Sequence, residues 1–163
     1  MFGNQEGALR FFGVFFKKKI KKYNVIYSNT QKDMMNSYFD YTGINRVSNE
    51  KTVIAGTSTI TREPLIVYSN KDNRRKSLML SPFRFNKFDK LSCEDSFDLY
   101  REIMSKYILT PNNIIDINWE KKDLLIFNNR KLIHSSTPAI QYSNKVRLYY
   151  SCFIGTREPI IRG

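Results

Sequence analysis

Apolar residues recur at helical spacing in three parts of the chain. Residues 8–22 hold an apolar stretch that ends in lysines, and they predict one helix. Thr30-Gln31-Lys32-Asp33 and Ser92-Cys93-Glu94-Asp95 both have the form of a capping box, in which side chains satisfy the free N–H groups at a helix start. They predict a helix that Gly43 ends and a longer helix that Pro111-Asn112-Asn113 ends. The apolar face of the longer helix is Phe97, Tyr100, Ile103, Met104 and Tyr107.

Short runs rich in β-branched and aromatic residues predict strands in the rest of the chain. The pair Asn128-Asn129 is a turn signal between two of them. No repeat or low-complexity linker divides the sequence. These patterns predict a single domain over residues 1–163, of the α+β class, with a β-rich core and helices on one flank. The predicted strands are 24–27, 51–60, 64–68, 114–119, 123–127, 131–134 and 146–154.

The composition is globular but strongly basic. Hydrophobic residues make up 41% of the 163 residues, and 27 Lys and Arg against 15 Asp and Glu leave a net charge of +12. Such an excess is typical of proteins that bind nucleic acid or an anionic membrane. The chain is also rich in Asn, Ile, Phe and Tyr, a composition that AT-rich coding sequences produce without selection for a basic surface. Arginine does not alternate with aromatic residues as in a strand-stacking site, so the pattern does not favour a nucleic-acid partner.

No apolar run is long enough to span a membrane. The longest candidate, Ala8 to Phe16, is interrupted by Arg10 and Gly13. Its lysines follow the apolar part, whereas an export signal has them before it. The segment is either an amphipathic helix on a membrane surface or an ordinary helix with a solvated lysine end, and the pattern favours the second. Two cysteines, Cys93 and Cys152, are interpreted as small core residues of a reduced compartment, so we expect a cytoplasmic protein.

Chemistry is concentrated between Trp119 and Arg147. This stretch contains His134, the single histidine of the chain, at the end of a predicted strand. Arg147 then enters the apolar strand RLYYSCFIG. A buried arginine needs an anionic partner, because desolvating its charge alone is costly. A carboxylate held in a bidentate fork is the natural partner.

This stretch resembles the last motif of the iron(II)/2-oxoglutarate dioxygenases of the taurine dioxygenase (TauD/TfdA) type. That motif is a Trp, a Gly-Asp pair, an apolar strand, Asp-Asn-Arg, two or three apolar residues and a His, with an arginine on the next strand. The corresponding residues here are Trp119, Asp123, residues 124–127, Asn128-Asn129-Arg130, Leu132-Ile133, His134 and Arg147.

The resemblance implies a fold and a site. The expected fold is part of a double-stranded β-helix, or jelly roll, with flanking helices, corresponding to the C-terminal portion of the family's domain. His134 would be one ligand of Fe(II), and Arg147 would bind the far carboxylate of 2-oxoglutarate. The expected activity is oxidation of a C–H bond of a small molecule, with 2-oxoglutarate decarboxylated to succinate.

The sequence departs from the family pattern at several positions. The His-x-Asp or His-x-Glu motif that supplies the other iron ligands is absent, since there is no second histidine. Lys122 stands where the family has glycine, and Asn128 where it has aspartate.

Three hypotheses about the function remain open. The first is an incomplete dioxygenase, either a fragment or one half of a domain that a separate chain completes. Alternatively the chain is a non-catalytic binding or structural remnant, or a basic binder of nucleic acid or a membrane surface. In each case Trp119 is expected to pack in the core.

Overall fold

The computed structural model describes residues 1–28, 60–68, 75–82, 84–134, 160 and 162–163. In this part of the chain, helices lie beside small antiparallel sheets, in agreement with the predicted α+β class. The predicted helix after Thr30 and the predicted strand at 146–154 lie outside the described residues, as does most of the strand at 51–60.

The chain starts with a strand, β1 (Phe2–Asn4), which the sequence did not predict. Two short helices follow, α1 (Gln5–Phe11) and α2 (Val14–Ile20), so the prediction of one helix over 8–22 was wrong. The helices are separated because Phe12 and Gly13 both have extended backbones, with ψ values of 131° and 156°. The break allows Phe12 to be buried, with its ring 4.1 Å from that of Tyr107.

A three-stranded sheet contains β2 (Asn24–Ser28) between β3 (Ile60–Pro64) and β6 (Phe85–Phe88), all antiparallel. A separate hairpin pairs β4 (Ile66–Tyr68) with β5 (Lys76–Leu78). The predicted strand at 24–27 is therefore confirmed. The predicted strand at 64–68 is divided at Leu65, which separates β3 from β4.

The longest helix is α3 (Cys93–Ile103), and its predicted cap is confirmed. Ser92 Oγ accepts a hydrogen bond from the Asp95 backbone N–H at 3.0 Å and donates one to the Asp95 carboxylate at 2.6 Å. A π-helical turn, Met104–Ile108, continues the helix. Cys93 is exposed at the first position of α3, so its prediction as a core residue was wrong. The buried face consists of Ser96, Leu99, Tyr100, Ile103, Met104 and Ile108.

Helix α3 packs on the sheet through aromatic stacking and one buried hydrogen bond. The Phe85 and Tyr100 rings stack with centroids 4.5 Å apart. Ser96 Oγ accepts a hydrogen bond from the Phe88 backbone N–H at 3.0 Å. These contacts join α3 and β6 into a single apolar cluster that also includes α1 and α2. Among the helices in the described part of the chain, none is long and apolar enough to cross a membrane.

Another small sheet places β1 between β7 (Ile114–Ile115) and β8 (Leu132–His134). Both neighbours are antiparallel to β1. Gly3 fits this position because a Cβ atom there would lie 2.8 Å from Ile108 Cγ2. The predicted strand at 131–134 is confirmed. The prediction at 114–119 holds for its first two residues only, and the prediction at 123–127 was wrong, since that segment has no regular secondary structure.

Asp89 joins the three strands of the first sheet. Its carboxylate accepts hydrogen bonds from the backbone N–H of Asn24 at 3.0 Å, from Asn24 Nδ2 at 2.7 Å and from Arg62 Nε at 3.1 Å. Burial acts to raise the pKa of this carboxyl. The hydrogen bonds from Arg62 and Asn24, with the charge of Arg62, outweigh it and lower the pKa to about 2.

The substitution Asp89→Asn tests this connection. Because the folded-state pKa is below the unfolded value, the carboxylate stabilises the fold above about pH 4, and this stabilisation is lost as the pH falls towards 2. Asp89→Asn is expected to lower the free energy of unfolding at neutral pH by about 1 kcal/mol, a value reduced for solvent screening at Arg62. It should also weaken the dependence of stability on pH in the acid range. Urea unfolding at several pH values measures both effects.

The matched control is Asp98→Asn, which removes an exposed carboxylate on α3. It should change the free energy of unfolding by less than about 0.5 kcal/mol. An Asp89→Asn protein with the wild-type acid dependence would contradict the role assigned to Asp89.

Candidate functional site

His134 is the last residue of β8 and lies opposite Phe2 of β1 in the antiparallel pairing. The preceding residue, Ile133, is buried, so alternation along the strand turns the His134 side chain away from the core. The imidazole is accessible at the edge of the described fold. The end of β8 is therefore fixed by the buried Ile133, while the His134 side chain stays accessible to a ligand.

Two phenylalanine rings hold the imidazole in place. Phe2 stacks on it with ring centroids 5.6 Å apart, and Phe127 meets it edge to face at 4.9 Å. The two phenylalanine rings also touch each other edge to face at 4.9 Å. Such aromatic contacts restrict the orientation of each ring. Phe127 belongs to the predicted motif, whereas Phe2 carries no sequence signal that connects it with His134.

The environment of His134 lowers the pKa of its imidazole and so favours the neutral form. Burial against the two rings lowers its pKa, and the positive charge of the Met1 amino group lowers it further. A neutral imidazole has a free nitrogen lone pair, which is the form that binds metal ions. The electrostatics at His134 are thus compatible with a metal ligand.

A tight turn at Asn128 leads into β8. Its carbonyl oxygen accepts hydrogen bonds from the backbone N–H groups of Lys131 at 3.0 Å and Leu132 at 3.1 Å. Its side-chain oxygen accepts one from the Arg130 N–H at 2.8 Å. Aspartate, which the TauD/TfdA motif has at this position, offers the same hydrogen-bond acceptor. The replacement by asparagine therefore preserves the turn that positions His134, and the predicted turn is confirmed.

An earlier turn, Glu120–Asp123, contains Lys122 in a left-handed backbone conformation with φ of 79°. The Asp123 N–H donates to the Glu120 carbonyl at 3.3 Å, and the Asp123 carboxylate accepts from the Glu120 N–H at 2.8 Å. A positive φ at the third residue is typical of a type II turn, where glycine is preferred. The motif's Gly-Asp pair thus corresponds to this turn. Lys122 stands at the glycine position, and its side chain makes the positive φ costly in conformational free energy.

The segment after this turn is apolar on both sides. Leu125 and Phe127 are half-buried, while Leu124 and Ile126 are 84% and 81% exposed. Trp119, before the turn, is 46% exposed, so its prediction as a core residue was wrong. Leucine and isoleucine exposed at alternate positions are typical of a strand that packs on both faces.

The residues described here do not complete an iron site. In residues 1–28, 60–68, 75–82 and 84–134, no three His, Cys, Asp or Glu side chains lie close enough together to hold a metal ion. Asp123 is exposed and bonds within its own turn. Asp116 lies 3.7 Å from the Met1 amino group. The described site offers one imidazole, and Arg147, the predicted ligand of 2-oxoglutarate, lies outside the described residues.

Comparison with protein families finds one match. The sequence model of the family "Taurine catabolism dioxygenase TauD, TfdA family" matches residues 24–152, most of the chain, including His134 and Arg147. No curated protein sequence matches significantly.

Solved structures share the fold. One is the crystal structure of AAD-2 in complex with Mn(II) and N-oxalylglycine, with a TM-score of 0.58 and 21% identity over 80% of this chain. Another is a proposed alpha-ketoglutarate dependent 2,4-D dioxygenase from Burkholderia xenovorans, with a TM-score of 0.57 and 21% identity, also over 80% of this chain. The matches cover 47% and 46% of those two chains, so this chain spans about half the length of its structural neighbours.

The strain at Lys122 can be tested by substitution. Lys122→Gly is expected to raise the free energy of unfolding by about 1 kcal/mol, because glycine adopts a positive φ without steric cost. Lys122→Ala is the matched control, since it removes the same side chain but keeps the Cβ atom that causes the strain. It should give no such gain. Urea unfolding of the three proteins measures the difference, and equal stability of the Gly and Ala variants would contradict the turn conformation.

Proposed function

Because the chain belongs to the taurine catabolism dioxygenase TauD, TfdA family, we propose that it forms the C-terminal part of an iron(II)/2-oxoglutarate-dependent dioxygenase. The proposed reaction is oxidation of a C–H bond of a small molecule with decarboxylation of 2-oxoglutarate. The observation that carries the proposal is the state of His134. An exposed imidazole is held at a strand end by two phenylalanine rings inside the family's last motif.

Arg147 is the second residue of the proposed site. It follows His134 by thirteen residues and starts an apolar stretch. A guanidinium in such surroundings provides a planar pair of donors for a carboxylate. We assign it to the far carboxylate of 2-oxoglutarate, which it would bind and orient.

The other iron ligands belong to residues outside these 163. The chain has one histidine, and an iron site of this kind needs two with one carboxylate. Its match covers 47% and 46% of the two structural neighbours. We propose that a complementing half of the domain supplies the His-x-Asp or His-x-Glu motif and its strands. The chain's own residues hold one ligand position and the cosubstrate, and no chemical step is assigned to them alone.

The exposed apolar residues support this arrangement. In the proposed jelly roll, the segment with Leu124 and Ile126 is covered by strands of the complementing half. Within the described residues, β8 pairs with β1 on one side only, and we propose that its other edge pairs with a further strand of the domain. The proposed compartment is the cytoplasm.

An assay of succinate release tests the proposal. The chain alone is expected to show no iron(II)-dependent turnover, because its ligand set is incomplete. A polypeptide that carries the missing motif, sought first in the coding sequence upstream, should restore turnover on mixing or co-expression. His134→Ala should then lower both the affinity for iron(II), measured by chelator competition, and the activity by at least about a hundredfold.

Asn129→Ala is the control for His134, since it alters the exposed turn next to β8 without removing a proposed ligand. This variant should keep the affinity for iron(II) and the activity near the wild-type values. Turnover by the 163-residue chain alone would overturn the incomplete site. If His134→Ala leaves the iron affinity of the assembled protein unchanged, His134 is not an iron ligand. The chain is then better described as a non-catalytic remnant of the fold.

Arg147→Lys tests the cosubstrate assignment. Lysine keeps the charge but loses the fork, so the Kd for 2-oxoglutarate in the assembled protein should rise by at least about tenfold. Lys121→Ala, which removes a cation from the exposed Glu120–Asp123 turn, is expected to leave that Kd unchanged. Isothermal titration with 2-oxoglutarate measures both. Equal affinities for the wild type and Arg147→Lys would refute a bidentate contact.

A further inference from the structure

The junction of α1 and α2 presents an apolar tip made of Phe11, Val14 and Phe15. These side chains are 62%, 80% and 91% exposed. Gly13, between them, has no atom within 4 Å of the position that a Cβ would occupy, so the junction projects into open space. Three large apolar side chains exposed within five residues form a patch that favours an interaction surface.

The outward orientation of the tip is fixed by the packing of α2. Phe12 and Phe16 lie on the opposite side, where their rings meet edge to face at 5.1 Å. Both contact Tyr107 of the π-helical turn, with centroids 4.1 Å and 5.5 Å apart. Ile20 is fully buried. Because the packed side of α2 holds the helix in this orientation, Val14 and Phe15 cannot turn into the core without breaking these aromatic contacts.

A basic surface adjoins the tip. Val14, Lys17, Lys18 and Lys21 are spaced i, i+3, i+4 and i+7, so they share one face of α2. That face borders an open cavity of about 510 Å³ with Leu9 and Ile66 in its lining. The cations around the cavity are Arg10, Lys17, Lys18, Lys21, Arg75 and Lys76.

The positive charge of the cavity is only partly balanced. Glu6 lies 3.6 Å from Arg10 and 3.7 Å from Arg75, and it also contacts Lys131 at 3.2 Å. Within the described part of the chain, the three lysines of the α2 face form no ion pair. Their charges remain available to an external anion beside the apolar tip.

We propose that the tip and the basic cavity form a docking surface for a membrane that contains anionic phospholipids. Phe11, Val14 and Phe15 would enter the headgroup boundary, while Lys17, Lys18 and Lys21 bind lipid phosphates and carboxylates. Nucleic acid would account for the cations but not for an exposed aliphatic and aromatic tip. A protein partner would account for the tip, but lysine is depleted in the centres of protein interfaces. The proposal does not depend on the dioxygenase function.

Co-sedimentation with vesicles tests the surface. The full chain should bind vesicles of phosphatidylcholine containing phosphatidylserine and not vesicles of pure phosphatidylcholine. Binding should weaken as salt rises, because exposed charges are screened. Phe15→Ser and the double variant Lys18→Glu/Lys21→Glu should each lower the partition coefficient by at least about tenfold.

Two matched controls separate this surface from the rest of the molecule. Leu124→Ser removes a similarly exposed apolar side chain from another site, and Lys90→Glu/Lys121→Glu makes the same charge change at exposed positions elsewhere. Both should retain vesicle binding within about twofold. Leu124→Ser should instead impair assembly with the complementing half, which Phe15→Ser should leave intact. Failure of the membrane proposal can therefore be distinguished from failure of the proposed dioxygenase assembly.

Three results would overturn the membrane surface. One is equal loss of binding in the test variants and their controls, which would indicate a non-specific charge effect. Another is binding to a DNA duplex that depends on Lys18 and Lys21 but not on Phe15. The third is loss of assembly with the complementing half in Phe15→Ser, which would make the tip a protein interface.

Discussion

Strand β1 has β7 on one side and β8 on the other, so its three residues fix the strand that ends in His134. Buried hydrogen bonds hold this strand and its junction with α1. Asn113 Nδ2 donates to the carbonyls of Asn4 and Ile108, both at 2.9 Å, and the Gln5 N–H donates to the Lys131 carbonyl at 2.8 Å. The same junction reaches the segment that follows β5, since the Gln5 side chain accepts a hydrogen bond from the Leu80 N–H at 2.7 Å. The imidazole thus takes its position from contacts far apart in sequence.

That dependence explains which elements the sequence predicted. The Ser92 cap, helix α3 and the Asn128 turn rest on contacts within a few residues, and local side-chain chemistry specifies them. Strand β1 is too short for a periodic pattern, and its pairing with β8 spans most of the chain. The break at Phe12 arises because a distant residue, Tyr107, receives the ring. Tertiary contacts of this kind override local helix propensity.

The predicted motif was partly right and partly wrong about structure. Its turn residues and His134 occupy the expected places, and asparagine substitutes for aspartate at position 128 without loss of the acceptor. Its apolar segment was predicted as a strand, but Leu124 and Ile126 are exposed and the segment does not pair in the described residues. A strand with two apolar faces needs two packing layers. The strand pattern in the sequence is therefore compatible with a strand between two such layers, which the described residues do not provide.

The two exposed apolar surfaces differ in the charges around them, and the difference separates their partners. Leu124 and Ile126 alternate with half-buried side chains along an extended segment, which matches the repeat of a neighbouring strand. Phe11 and Phe15 project from a helix junction beside lysines that have no carboxylate partner in the described part of the chain. A protein layer would have to desolvate those ammonium groups at high cost, whereas anionic headgroups neutralise them while they stay hydrated. The first surface therefore suits a β-layer, and the second suits a bilayer surface.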